Sequence, residues 1–306
     1  MQPTFTKEIE FRQERDFGAK VNATFAFVVA HGRPLGKCLL YIVLPVALLA
    51  GLAQAVAQSE LIGALGASST AERVTQLERY STISGAQLLG FIAMMLGHCA
   101  LAATIYSYVL VRIALPEHET VTPALVWERV KSFALPLLGS SIVLGILAVL
   151  GYLLFIIPGI YLSVGFSLAW AVQVLENRSI GELLSRSLML IKGKWWSTFG
   201  LLVVMYFIVA LLSLVLKMPQ YLILAGSALH WSWASSPVLA GAMALLSTTA
   251  SMFLSTFVLV AVMFQYFNLV ERKEGAGLYT LVNSIGQGPA PVVQNHQLRP
   301  DDEGEY

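Results

Sequence analysis

The chain has 306 residues, of which 57% are hydrophobic and only 12% charged, about half the charged share of a soluble domain. Its formal net charge of +1 gives no electrostatic reason to expect nucleic acid as a partner. A water-soluble globular fold is excluded by these figures. An all-α integral membrane protein is what they leave.

Residues 1–37 form a charged, mixed N-terminal segment with no leading apolar core, so no cleavable signal peptide is expected. Within it Phe17, Val21, Phe25 and Val28 recur at helical spacing and predict an amphipathic helix at the membrane surface. Crossing a hydrocarbon layer of roughly 30 Å takes about 20 apolar residues. Six stretches qualify: 38–57, 84–110, 135–157, 160–175, 197–216 and 238–268. They delimit a membrane domain over 38–268, followed by a tail over 269–306. The two cysteines, Cys38 and Cys99, fall inside apolar stretches and read as isolated buried thiols rather than a disulfide.

Span two carries Ala86, Gly90, Ala93, Gly97, Ala100 and Thr104 in four-three alternation. Small residues let helix backbones approach closely in lipid, so this face is expected to pack. His98 is the one imidazole near a midplane. It is a candidate for proton relay or ligand contact, against the plainer expectation of a hydrogen bond to a neighbouring helix. The connection after span two holds Thr122-Pro123, a helix start, and the stripe Val126, Trp127, Val130, Phe133 and Ala134. Spans three and four meet at Pro158-Gly159, which predicts a tight turn there.

After span four, Ile180, Leu183, Leu184, Leu188 and Ile191 mark another helical face, and Ser179 with Glu182 reads as a capping box. Arg178, Arg186, Trp127, Trp195 and Trp196 are placed at the interface, where cations and aromatic rings meet headgroups. Glu176 and Arg112 sit at span ends, where ionic contacts serve structure. Span six repeats the small-residue spacing with Gly241, Ala244, Thr248, Ser251 and Ser255, and adds Ser247, Thr249 and Thr256. Its hydroxyls either pack by bonding back to the helix or line a polar path. The candidate interior polar residues are therefore His98, Thr248, Ser251 and Ser255. Beyond span six, Leu278, Leu281, Val282 and Ile285 form a last stripe ahead of a polar end expected to be disordered.

Sixteen of the nineteen Lys and Arg lie in the N-terminal segment, the second and fourth connections and the tail, leaving Arg73, Arg79 and Lys217 for the other side. Positive loops stay cytoplasmic, so both termini are expected inside. The segment 174–178, Val-Leu-Glu-Asn-Arg, also matches 269–273, Leu-Val-Glu-Arg-Lys. Three copies of interfacial helix, span, span are the expected organisation, as three hairpins. No H-E-x-x-H, P-loop or G-x-S-x-G motif occurs, so no catalytic, metal or cofactor residues are assigned and an enzyme is not expected.

The stretch Phe155-Ile-Ile-Pro-Gly-Ile-Tyr161, with 174–178, Ser187, Gly193-Lys-Trp-Trp196 and Tyr266-Phe-Asn-Leu-Val-Glu-Arg-Lys-Glu-Gly275, resembles a bacterial family. Its members are described as glycerophosphoryl diester phosphodiesterase membrane-domain-like. The likeness covers roughly residues 17–286, and its motifs are structural. It implies a six-span fold in a bacterial inner membrane and no active site to carry over. Three roles follow as expectations: first a scaffold or lipid-organising protein, then a transporter or channel for a small or amphipathic solute, then an accessory subunit of an enzyme. Membrane lipids, and a membrane-protein partner or a second copy of the chain, are the expected partners. A continuous polar cavity reaching His98 or Ser251 separates the second role from the first.

Overall fold

The computed structural model describes residues 5–65, 69, 71, 74–75, 78, 85–229, 231–234 and 236–275, the side chains of 63–65 and 86 excepted. The described residues form an all-helical fold with six helices long and apolar enough to cross a membrane. Span one is Leu44–Leu65, span two Gly85–Ala114, span three Pro123–Leu154, span five Trp195–Ala228 and span six Pro237–Glu274. Span four, Ile156–Leu175, is made of two pieces, Ile156–Phe166 and Ala169–Leu175.

Span six is the hub. It packs against spans one, two and five, the helix Phe17–Ala30, and Ile180–Ile191. Half of its most apolar stretch is buried, against 17% for span five, so span five presents most of its surface to lipid. Consecutive spans also pack in pairs, one on two, three on four and five on six.

Several boundaries differ from those expected, each for a physical reason. The stripe at 126–134 is not a separate interfacial helix: it runs without a break through Pro136 into span three. Membrane helices tolerate such a proline because neighbours satisfy the freed groups. Trp127 and Ala134 are exposed, so the buried stripe narrows to Val126, Val130 and Phe133. The turn between spans three and four falls at Phe155, which is extended, and Pro158 sits in the first turn of the next helix. A first-turn proline loses no helical hydrogen bond. Gly159 then meets the Tyr152 ring, where an added Cβ would lie 2.4 Å from the ring edge.

Span five continues past Lys217 and Pro219 to Ala228, since a long side chain can carry its charge along the helix toward water without ending it. The helix expected around Phe17 is present as Phe17–Ala30, but its fully buried face is Lys20, Ala23, Thr24 and Phe27. That face packs on protein, with the Lys20 ammonium donating to Ser197 Oγ at 3.1 Å. The capping box at Ser179 and Glu182 is present, but of the expected face only Leu183 and Ile191 are buried; Ile180, Leu184 and Leu188 are half-buried, and Leu190 and Ser187 complete the buried side. Residues 58–83 carry Glu72, Arg73, Glu78 and Arg79, which predict one short surface helix; of these four only Glu78 is among the described residues, and the stripe Leu278, Leu281, Val282 and Ile285 lies outside them.

Candidate functional site

Two groups of polar residues stand out, at opposite ends of the bundle. At the end bearing Trp195, Glu176 closes span four. The next residue, Asn177, adopts a left-handed conformation (φ 54°), which asparagine tolerates better than most residues. That reversal brings the helix Ile180–Ile191 back across the bundle. Arg186 Nε donates to both Glu176 oxygens at 2.9 Å, and Nη2 donates to Oε1 at 2.8 Å. Arg186 Nη1 reaches Glu274 Oε1 at 2.5 Å, and the Tyr266 hydroxyl donates to Glu176 at 3.1 Å. Burial works against the Arg186 charge, but the hydrogen bonds and charges of Glu274 and Glu176 outweigh it and hold its pKa above the ordinary value. Arg178 adds an exposed contact to Glu176 at 3.2 Å. Every acceptor here is matched by a donor, so the arrangement is a clamp between span four, its following helix and span six.

Trp195 stacks on Tyr161 and Phe199 and donates to the Tyr161 carbonyl at 3.3 Å, whereas Trp196 is 74% exposed. Of the expected interfacial residues, Trp127 and Trp196 thus face outward and Trp195 is part of the packing.

The second group lies deeper. A cavity of about 420 Å³ sits among spans one, two, five and six, within the range of small-molecule sites. It brings together all four candidate interior polar residues, His98, Thr248, Ser251 and Ser255. Gln54, Lys217 and Gln220 join them, with Tyr206 and Tyr221 on the span-five wall. His98 Nδ1 donates to the Met94 carbonyl one turn back at 2.9 Å, so the imidazole is anchored on its own helix rather than on a neighbour. Ser255 leans on the Ser251 carbonyl at 3.5 Å, at the outer limit of a hydrogen bond. The Ser251 hydroxyl oxygen is buried and has no hydrogen-bond partner among the described residues.

Ser247 and Thr249 of span six pack instead, while the Thr256 hydroxyl is buried away from the cavity with no partner among the described residues. Ser247 donates to Gln220 Oε1 at 2.6 Å, Gln220 donates to Gln58 at 3.3 Å, and Thr249 donates to the Ala47 carbonyl at 3.4 Å. The small residues behave likewise. A Cβ on Gly97 would lie 2.5 Å from Met252, one on Gly90 3.2 Å from Ala53, and one on Gly241 3.4 Å from the Ala55 carbonyl. Ala93 is half-buried against the core, and the side chain of Ala86 lies outside the described residues. The tightest approach to another helix's backbone, unmarked by the expected stripes, is at Gly51 of span one. A Cβ there would meet the Leu245 carbonyl at 2.9 Å and Thr249 Oγ1 at 2.8 Å.

Gln54, Lys217 and Gln220 were not among the candidates read from sequence. They are single polar residues on three different turns, with no periodic signal, and Lys217 reads most simply as a span end. Among the described residues no cluster of three His, Cys, Asp or Glu could hold a metal ion. Both cysteines are free and buried. Comparison with family models, with curated proteins and with solved structures finds no match for this chain.

Proposed function

We propose that this chain is a non-enzymatic multi-pass protein of a bacterial inner membrane, with both termini cytoplasmic, that admits a small or amphipathic solute between spans two and five. The location rests on the family resemblance, and the orientation on the placement of sixteen basic residues against three. The observation that carries the solute reading is the polar cavity at His98 and Ser251. Hydrocarbon offers no hydrogen bonds, so an unpartnered hydroxyl at that depth is costly unless water or a ligand reaches it. A scaffold needs packing faces and gains nothing from such a cavity. Span five is held mainly by span six, with lesser contacts to spans one and four and to the helix Phe17–Ala30, while spans two and five barely touch, which leaves the cavity a lateral mouth.

Thiol labelling tests this. Ser251→Cys is expected to react with a small water-soluble methanethiosulfonate far faster than Leu246→Cys, a lipid-facing control, over the background of the two buried native thiols. Equal inertness of both would mean that no aqueous path reaches the cavity and would overturn the reading. Lys217→Cys should label from the periplasmic face alone, and labelling only from the cytosol would reverse the orientation.

A further inference from the structure

The polar cavity has a neighbour. Tyr206 lines it and also lines a larger cavity of about 810 Å³ among spans three, four, five and six. On span five, Phe199, Val203 and Tyr206 wall the second cavity, and Tyr206, Ser213, Lys217 and Tyr221 wall the first. Steps of three, four and seven residues put all six on one helix face. The two cavities are therefore consecutive stretches of one groove along span five. From Phe199 to Tyr221 the helix rises about 33 Å, close to the roughly 30 Å hydrocarbon thickness.

Polarity changes along this groove in a way that specifies an occupant. The stretch toward Phe199 is walled by apolar side chains such as Leu144, Leu202 and Val262. Its serine hydroxyls are already used, and the buried Trp170 Nε1 is the polar atom of this wall left without a partner among the described residues. Ser141 donates to the Leu137 carbonyl at 2.6 Å, Ser163 to Gly159 at 2.8 Å and Ser167 to Val164 at 2.8 Å. Such a wall suits hydrocarbon. The stretch toward Tyr221 has unused hydrogen-bonding capacity at Ser251, and one cation, Lys217, with no carboxylate among its lining residues. Lys217 has no ion pair with a described residue. A lone lysine among hydroxyls and amides complements an anion that carries further donors and acceptors.

We infer that the groove holds one single-chain anionic lipid, of lysophospholipid type. Its phosphate lies at Lys217, its polar head fills the cavity beside Ser251 and His98, and its acyl chain runs past Tyr206 into the apolar stretch. A single chain fits because the two linings share one side chain, Tyr206. A fatty acid would leave most of the polar cavity empty. This inference rests on the solute reading above and adds the chemical class of the solute.

The test uses the full chain in nanodiscs, with lysophosphatidylglycerol brominated in its acyl chain as probe. Bromine quenches indole fluorescence on contact, and Trp170 lines the apolar stretch. The expected result is quenching of the component that Trp170→Phe removes, saturating with probe, together with protection of Ser251→Cys from thiol reagent. Lys217→Gln should weaken binding about tenfold, the loss expected of one charge-assisted contact, and Lys217→Arg should restore most of it. Brominated lysophosphatidylcholine, whose head is neutral overall, and brominated palmitate should bind more weakly than the anionic lysolipid. Equal affinity of the two lysolipids with no effect of Lys217→Gln would overturn the head-group assignment and leave the solute reading standing. Protection of Ser251→Cys without quenching at Trp170 would overturn the continuous groove. Neither quenching nor protection, in a variant that still elutes as a folded species, would sink this inference, and labelling of Ser251→Cys without probe would still decide the solute reading separately.

Discussion

The two halves of span six hold their neighbours by different means. From Val258 to Val270 every residue is buried except Leu259, which is half-buried. Phe264 lies among Phe5, Phe11 and Phe27 with ring centroids 5.3 to 6.2 Å apart. The Arg15 guanidinium sits 4.9 Å over the same ring, and its backbone N–H donates to Asn268 at 2.8 Å. From Pro237 to Phe257 the contacts are instead made by Gly241, Ala244, Met252 and short hydroxyls, and one flank faces the cavity. The difference follows from the solvent. Thirty-eight residues span about 57 Å, so the helix outruns a roughly 30 Å hydrocarbon layer. Beyond Val258, Leu259 and Val262, which still line the apolar cavity, the helix emerges around Phe264 to Asn268, and there burying aromatic rings against water drives association. Within lipid that drive is absent, and close backbone approach between small residues takes over.

The largest expected effect comes from breaking the aromatic half. Phe264→Ala removes the ring that four side chains share and should destabilise the fold by about 3–5 kcal/mol. It should also free the N-terminal segment, which limited proteolysis between Phe5 and Phe17 would report. Protection unchanged from the parent protein would mean that the segment is held elsewhere. Arg15 sharpens the point. Burial pushes its guanidinium down to about 10, so it remains charged at neutral pH, and its cation stays over the ring throughout the physiological range.

Next in size are the glycines of the lipid-level half. At Gly51 an added side chain meets a backbone carbonyl, which cannot swing aside, whereas at Gly97 it meets the flexible end of Met252. Gly51→Leu should therefore cost more than Gly97→Leu. The second is expected to cost about 1–3 kcal/mol by overpacking. His98→Ala should cost least of the three, because its imidazole bonds only one turn back along its own helix. Detergent-resistant folding of the three variants checks the order, and a damaging His98→Ala would reverse it. Arg186→Ala is expected between Gly97→Leu and His98→Ala, at about 1–2 kcal/mol. It releases hydrogen bonds to Glu176 and Glu274 at the water-facing end, where solvent rehydrates part of what is lost.

What could be read in the sequence divides along the same line. Length and apolarity place six spans, because lipid demands them of any crossing helix. The small-residue faces of spans two and six were legible, since their spacing is periodic. Gly51 was not, because it stands alone within span one. The cavity was half legible. His98, Thr248, Ser251 and Ser255 were picked out by chemistry and helical face, but Lys217 and Gln220 follow a span long enough to seem complete without them. The joint between spans three and four was misplaced by three residues, because proline opens a helix as readily as it makes a turn. No periodicity announces which side of span five its neighbours leave bare. That depends on how spans two and three lean away, and tertiary packing alone decides it.

The smallest predicted effect separates two hydroxyls within the open half of span six. The Ser251 hydroxyl has no partner among the described residues, so Ser251→Ala deletes no intramolecular bond and also removes a buried polar group. Its stability should be unchanged or slightly raised, within about 0.5 kcal/mol. Ser247 lies one turn away on the same helix, yet it donates to Gln220 at 2.6 Å and so ties span six to span five. Ser247→Ala strands the Gln220 oxygen in a half-buried site and should cost about 1 kcal/mol. The two substitutions have the same chemistry and nearly the same depth, so their difference isolates the partner from the position. A Ser251→Ala loss matching that of Ser247→Ala would show the hydroxyl to be held by protein, and the open half of span six would then be as closely knit as the aromatic one.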